Sequence, residues 1–329
     1  MVRTLVLNMK IGVLTSGGDG PGMNAAIRAI TRIGIHYNCE IFGIFGGFQG
    51  IINEQIHELN SRSVSRILHR GGTFLTTGRS EMFKTEEGQK KAAKVLTDRG
   101  FDALIGIGGD GTMRGLDALS KHWKGKLIGL PGTIDNDLYG TDYTIGFDTA
   151  VNNALDALDK IRDTAEAFSR TFLVEVMGRK AGYIAFHVGV ATGASAILMP
   201  ETTTTMDELV SIVTNAWDKG KTSVLVVVAE GDELGNANTI GKELSKRIKE
   251  ECRVSVLGYI QRGGNPTHFD RLLATKLGAY AIECLLGGED GGLVGEVNGK
   301  LIMTPFKDTW TKKKPIDQWL LGLLSELSS

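Results

Sequence analysis

Two aspartates, Asp135 and Asp137, stand two residues apart in the run Leu130-Pro-Gly-Thr-Ile-Asp-Asn-Asp137. In extended chain that spacing puts both carboxylates on one side, at the end of a strand. Carboxylates so placed repel each other unless a metal ion, an arginine or a proton is shared between them. The same residues also read as a solvated Asx-rich turn ahead of a helix near Asp148, and the stretch alone does not separate the two readings. The rest of the chain favours chemistry, because it supplies glycine turns able to cradle phosphate and arginines able to clamp it.

Three such turns precede the aspartates. Met9 to Leu14 reads as a strand, followed by Thr15-Ser-Gly17-Gly18-Asp-Gly-Pro-Gly22 and a helix from about Asn24 to Gly34. Strand, glycine turn and helix form the layout in which backbone N–H groups and a helix N-terminus face an anion, although a tight connection can look the same. After a strand at Ile41–Ile44, the segment Arg70-Gly-Gly-Thr-Phe-Leu-Thr-Thr-Gly-Arg79 carries an arginine at each end. Arg79 is either a bidentate phosphate ligand or a surface residue. The strand Ala103–Ile107 leads into Gly108-Gly109-Asp110-Gly111-Thr112 and a helix to about His122. Gly106, Gly108 and Gly111 match G-x-G-x-x-G, but the acidic residue expected about 20 positions later in a dinucleotide site is not cleanly placed. Asp110 beside bare backbone N–H groups suits a magnesium ion carried on phosphates.

The elements that must position these residues alternate along the chain. Helices are expected at about Glu86–Arg99, Thr149–Ile161, Thr205–Lys219 (opened by the capping box Thr205…Glu208), Arg271–Leu285 and Ile316–Leu327. Strands are expected at Lys126–Leu130, Thr171–Val176, Ile197–Met199, Val224–Ala229 and Val254–Gly258, with Asn298-Gly299 as a hairpin turn. The strands are short, continuous apolar runs, the pattern of parallel sheets covered on both faces in an α/β fold. Ligands of such sheets bind beyond the carboxyl ends of the strands. Gly18, Asp110, Asp135, Arg179 and Glu230 all lie just past such ends and can converge on one cleft.

Composition narrows the field. The 329 residues are 42% hydrophobic and 23% charged, which allows two domains with sizeable cores. A net charge of −1 gives no reason to expect nucleic acid or an anionic membrane as partner, so any anion site is local. No apolar run approaches the roughly 20 residues that span a bilayer. Val2–Leu7 is too short for a signal-peptide core, the residues before Met9 read as an extension, and Met9 is itself a possible start. Cys39, Cys252 and Cys284 are scattered and odd in number, suggesting neither a disulfide framework nor a zinc site. A cytoplasmic location is expected.

With the turns in place, the chain resembles the bacterial, ATP-dependent 6-phosphofructokinase family over nearly its whole length. The matching stretches are Gly17-Gly18-Asp19, Gly71-Gly72-Thr73, Gly108-Gly109-Asp110-Gly111, Pro131-Gly-Thr-Ile-Asp-Asn-Asp137, Val176-Met-Gly-Arg179 and Gln261-Arg-Gly-Gly264. The resemblance implies two doubly wound, Rossmann-like domains with mainly parallel sheets and the active site in the cleft between them. One would comprise residues 1–146 with about 261–311 and bind nucleotide; the other, about 147–260 with 312–329, would bind sugar phosphate. It implies transfer of the γ-phosphoryl group of ATP to the 1-hydroxyl of fructose 6-phosphate, with Mg2+ as cofactor.

Carried over by residue, the resemblance makes Asp135 the base, with Thr133, Asp137 and Arg179 also catalytic. Gly18, Arg79, Ser80, Gly109, Asp110, Gly111 and Thr112 would bind ATP, with Asp110 serving the metal. Thr133, Ile134, Asp135, Arg170, Met177, Gly178, Arg179, Glu230, Arg253, Tyr259 and Arg262 would bind the sugar phosphate, Arg170 and Arg253 reaching in from a neighbouring subunit of a homotetramer. Tyr259 stands where bacterial relatives usually have a histidine. Arg28, Arg32, Arg162, Lys219 and Lys221 match an effector site. Ser61, Arg66 and Ser195 depart from it, with Arg62 one residue from Ser61, so the family's control by ADP and phosphoenolpyruvate is expected to be altered. Glycine at 111 and 132, where pyrophosphate-using relatives carry aspartate and lysine, favours ATP as donor. The alternatives are a pyrophosphate-dependent relative, a non-catalytic regulatory subunit, an NAD or lipid kinase sharing Gly108–Thr112, and an NAD dehydrogenase.

Overall fold

The computed structural model describes residues 8–327; Met1 and Val2–Leu7, and with them the question of the start, lie outside the described residues. In chain order the elements are β1 (Lys10–Ser16), α1 (Met23–His36), β2 (Glu40–Ile44), α2 (Phe48–Ile52), β3 (Ile56–Leu59), α3 (Glu86–Asp98), β4 (Ala103–Gly108), α4 (Asp110–Ser120), β5 (Lys126–Pro131) and α5 (Phe147–Ala167). They continue with β6 (Thr171–Val176), α6 (Tyr183–Thr192), β7 (Ala196–Leu198), α7 (Met206–Asp218), β8 (Val224–Ala229), α8 (Ala237–Ile248), β9 (Arg253–Val256), α9 (His268–Gly287), β10 (Gly292–Val297), β11 (Lys300–Pro305), α10 (Asp308–Thr311) and α11 (Gln318–Leu327). Two compact units result: a first of Met1–Thr133, Leu138–Asp148 and Arg262–Lys314, and a second of Ile134–Asp137, Thr149–Gln261 and Pro315–Ser329. Ile134–Asp137 thus groups with the second unit, not with the first as the expected boundary at 146 would have it.

The first unit holds a sheet in the order β11-β10-β5-β4-β1-β2-β3, parallel from β10 through β2 and antiparallel at both edges. Successive strand residues feed opposite faces. Ile11, Val13, Ile105, Ile107, Ile128 and Leu130 enter one buried cluster with α1 and α9, while Leu14, Leu104 and Leu127 enter another with α2, α3 and α4. Both faces are therefore apolar, which is why the strands read as unbroken hydrophobic runs. β1 has β2 on one side and β4 on the other. This is the switch point of a doubly wound sheet, and the turns after β1 and β4 flank it.

The second unit has the sheet β7-β8-β6-β9, parallel throughout, with Leu173, Val224, Val226 and Val228 packed against α7 and α8. The capping box forms as expected, with Thr205 Oγ1 accepting from the Glu208 N–H and the Glu208 carboxylate accepting from the Thr205 N–H. Asn298 and Gly299 take positive φ, 50° and 73°, at the β10–β11 hairpin turn. Between β2 and Arg70 lie α2 and the edge strand β3, and α6 and α8 add to the helices expected from the sequence. Helix α6 buries Tyr183, Ile184, Ala185, Phe186, Val188 and Gly189, so it has no polar face to reveal a helical period.

One buried polar joint in the first unit ties α9 to the segment that opens α5. Asp270 is fully buried and its Oδ1 accepts from the Gly146 N–H at 2.8 Å, while Thr267 Oγ1 donates to Asp148 at 2.6 Å and accepts from the Asp270 N–H. Asp270→Ala leaves the Gly146 N–H without its acceptor in a dry site, at a cost of about 1–3 kcal/mol or more. Urea unfolding of the two proteins is expected to show a lower midpoint for the variant with an unchanged slope.

Candidate active site

In the first unit, the glycine turn after β1 is built by threonines and an asparagine that the sequence reading did not single out. Thr15 Oγ1 donates to the Thr76 carbonyl at 2.8 Å and lies 2.9 Å from Thr73 Oγ1, and Thr77 Oγ1 donates to the Gly17 carbonyl at 2.9 Å. Buried Asn24 accepts from the Phe74 N–H at 2.6 Å and donates to the carbonyls of Arg70 and Gly71. The 70–79 segment is thereby fastened alongside Gly17 and Gly18, and it presents Arg79 exposed. The Ser80 hydroxyl has a local task as well: it donates to Gln49 at 2.6 Å and accepts from the Phe83 N–H.

The 108–112 turn joins this group. Thr112 Oγ1 donates to the Ser16 carbonyl at 3.1 Å, and Thr133 packs 3.5 Å from where a Cβ on Gly109 would stand. Arg262 also arrives here: a Cβ on Gly18 would lie 2.9 Å from its Nη1, so the guanidinium rests directly on the bare turn and a side chain there would push it aside. Gly18, Gly109, Thr112, Thr133 and Arg262 thus gather at the sheet's carboxyl end, with Asp110 and Gly111 opening α4 and Arg79 closing the fastened segment.

The metal reading can be tested on Asp110. No group of three or more His, Cys, Asp or Glu able to hold a metal occurs among the described residues. A magnesium ion carried on phosphates needs only one or two protein carboxylates. Asp110 fits that demand: it is half-exposed in the first turn of α4, whose N-cap Gly109 offers no capping side chain. Its carboxylate takes Arg114 Nε at 2.9 and 3.0 Å, an exposed pair of little energetic weight.

In the second unit, Asp135 is buried at 5% exposure while Asp137 is exposed. The expectation that both carboxylates share one side is corrected here. Asn136 between them is left-handed, φ 53°, so the chain is bent rather than extended and the period-two rule does not apply. Beyond β6, Met177 and Gly178 are buried and Arg179 is exposed with φ 56°. The Arg179 N–H donates to Glu230 Oε1 at 2.7 Å, the Met177 N–H to Gln261 Oε1 at 3.3 Å, and the Gly182 N–H to the Glu201 carboxylate at 2.9 and 3.0 Å. Burial, and then the charges of Glu201 and Asp137, push the Tyr183 hydroxyl well above the usual tyrosine range, so it remains a proton donor at neutral pH.

Arg170 and Arg253 are not part of that grouping. Both stand where β6 and β9 begin, at the amino end of the sheet, whereas Met177, Gly178, Arg179 and Glu230 follow the carboxyl ends. Arg170 lies over the exposed Phe168 ring and Arg253 pairs with Glu251 at 2.8 Å. Tyr259, in the turn of 3-10 helix after β9, is 80% exposed.

Of the effector candidates, Arg28 and Arg32 share α1, where burial and then its neighbour's charge lower the Arg28 pKa. Arg162 on α5 donates to the Thr192 carbonyl, and Lys219 and Lys221 flank the end of α7. Ser61 gives its carbonyl to Arg32 at 3.4 Å, Arg66 is left-handed at φ 61°, and Ser195 is buried.

A family model described as Phosphofructokinase matches residues 10–285. The chain belongs to the phosphofructokinase family. Among phosphofructokinases it is 49% identical over 319 residues to the ATP-dependent 6-phosphofructokinase of Halalkalibacterium halodurans, covering 97% of this chain and 99% of that one. It is equally similar, with the same coverage, to ATP-dependent 6-phosphofructokinase 1 of Thermus thermophilus. The solved phosphofructokinase of Saccharomyces cerevisiae superposes with TM-score 0.86 at 32% identity, over 97% of this chain and 47% of the longer yeast chain. The pyrophosphate-dependent phosphofructokinase of Marinobacter aquaeolei shares the fold, with TM-score 0.84 at 20% identity over 98% of this chain and 92% of that one.

Proposed function

We propose that this chain transfers the γ-phosphoryl group of ATP to the 1-hydroxyl of fructose 6-phosphate, giving fructose 1,6-bisphosphate and ADP. The observation that carries the reading is the 49% identity, end to end, with ATP-dependent 6-phosphofructokinases. Phosphoryl transfer asks for positioning and charge neutralisation more than covalent chemistry, and the residue set suits that demand. The turns at Gly18 and 109–112, with Arg79, hold the nucleotide phosphates. Asp110 would hold magnesium, which when bound would neutralise charge on the phosphate oxygens. Asp135 takes the hydroxyl proton, and Thr133 and Arg179 contact the transferring group. Ile134, Met177, Gly178 and Glu230 line the sugar, with Tyr259 and Arg262 toward its phosphate and Asp137 beside the reaction.

ATP as donor has local support. A Cβ on Gly111 meets nothing within 4 Å, leaving room at the start of α4. Gly132 argues less than the sequence reading supposed. A side chain there would crowd Ile107, Met23 and the Gly108 nitrogen at 2.8–3.2 Å, so local packing alone calls for glycine. Gly111→Asp sets a second carboxylate beside Asp110 and against the phosphates. Like charges brought together cost several kcal/mol, so the KM for ATP is expected to rise about 10²-fold.

The protein works as a cytoplasmic homotetramer in which Arg170 and Arg253 serve a neighbour's sugar phosphate. Supporting this are their place at the amino end of the sheet and the exposed apolar residues Val256, Tyr259 and Ile260 nearby in sequence. No helix among the described residues is long and apolar enough to cross a membrane.

A coupled assay with fructose 6-phosphate and magnesium, comparing ATP with pyrophosphate, tests the reading. Turnover with ATP and little with pyrophosphate is expected. Turnover with pyrophosphate overturns the donor assignment, and sugar-phosphate binding without turnover points to a regulatory subunit.

A further inference from the structure

The loop from Met177 to Gly182 carries Arg179, and the second unit holds it by an unusual means. Three of its backbone N–H groups are bound by side chains from three separate places: Met177 by Gln261 after β9, Arg179 by Glu230 after β8, and Gly182 by Glu201 after β7. Gln261 is completely buried and uses its other end as well, its Nε2 donating to the Gly258 carbonyl at 3.1 Å. Each clasp acts at a different strand end, so the loop is tied to the whole edge of the sheet rather than to its own neighbours.

The loop needs such ties. Arg179 is a non-glycine residue at φ 56°, a conformation that persists only where the surroundings over-determine it. Its carbonyl lies so close to Gly231 that a Cβ there would come within 1.8 Å of the oxygen. Gly182 is the N-cap of α6 and has no capping side chain of its own. The two oxygens of Glu201 therefore act as a cap supplied from nineteen residues along the chain.

We infer that Glu201 and Gln261 are positioning residues for phosphoryl transfer, holding the two ends of the Arg179 loop while Glu230 holds its middle. Neither touches substrate in this account; each acts through Arg179. The inference rests on the proposed reaction and deepens it, because a guanidinium that stabilises moving charge works only when already in place.

The test uses the full chain and three variants. Glu201→Ala and Gln261→Leu remove the acceptors; Glu201→Gln keeps an oxygen that can still accept from the Gly182 N–H. Misplacement of a reacting group by about 1 Å costs about 10²-fold, so the alanine and leucine variants are expected to lose 10- to 100-fold in kcat. The KM for ATP should stay within about twofold, since the nucleotide turns belong to other elements, and Glu201→Gln should recover most of the loss. A kcat within twofold of the parent in both deletions overturns the inference. So does an equal loss in Glu201→Gln and Glu201→Ala, which would assign the effect to charge. Hydrogen exchange on the unaltered protein covers the case of variants that do not fold. The amides of Met177, Arg179 and Gly182 should be protected, and exchange as fast as an exposed loop overturns the clasp. Absence of ATP-dependent turnover in the unaltered chain would defeat the proposed reaction, and with it the positioning role, while leaving the clasp itself to the exchange result.

Discussion

Asp135→Asn is expected to bind fructose 6-phosphate and ATP within a few-fold of the parent while losing about 10²–10⁴-fold in kcat, the usual worth of a general base. The replacement is nearly isosteric, so the buried site at 5% exposure keeps its packing. What disappears is the capacity to take the proton as the 1-hydroxyl attacks. Asn136 at φ 53° and the buried Ile134 fix the direction in which residue 135 points, so the loss should not be shared by its neighbour. Asp137→Asn, at an exposed position, is expected to cost less. Steady-state kinetics paired with calorimetric titration of the sugar phosphate separates the two effects. Near-normal turnover in Asp135→Asn would remove this residue from the mechanism, and a large rise in Kd with kcat unchanged would make it a binding residue instead.

The second large effect concerns the arginines at the other end of the sheet. β6 runs six residues from Thr171 to Val176, and at about 3.3 Å per residue its two ends lie roughly 20 Å apart. Arg170 before it and Arg179 after it are therefore too far apart to serve one sugar phosphate from a single strand. If Arg170 and Arg253 serve a neighbouring copy, Arg253→Ala should raise the KM for fructose 6-phosphate by about 10²-fold or more, since stripping one partner from a charged, hydrogen-bonded pair costs about 2–5 kcal/mol. Its surface pair with Glu251 contributes little to that figure. Mixing provides the decisive measurement. Asp135→Asn subunits keep Arg253, and Arg253→Ala subunits keep Asp135, so subunit exchange between the two weak proteins should create intact sites and restore activity at low sugar phosphate. A mixture no more active than the sum of its parts, after exchange is verified by mass, would place all the binding residues in one chain.

Much of this protein is local in origin and could be read directly. The Thr205…Glu208 capping box, the Asn298-Gly299 turn and the apolar runs of β1, β4, β5, β6 and β8 each depend on a few adjacent residues. Local physics sets them before the chain closes. The glycine turns after β1 and β4 were legible for the same reason, since a strand, a turn and a helix N-terminus are consecutive in the chain. Helix α6 was not legible, because its apolar residues are spread round the helix rather than along one stripe, which erases the period on which such reading depends.

Tertiary structure decided matters that no spacing encodes. Asp135 and Asp137 do not share a face, because one left-handed residue between them cancels the strand rule. Arg262 lies on Gly18 from more than two hundred residues away, and Asn24 fastens the 70–79 segment by bonds to three backbone groups. The clasps of Glu201, Glu230 and Gln261 are bonds from side chains to distant backbone N–H groups. A backbone N–H is present at every residue except proline and leaves no mark of its own in a sequence. The residue types proposed for the chemistry were therefore visible from the start, while their orientation depends on bonds that exist only once the strands have come together.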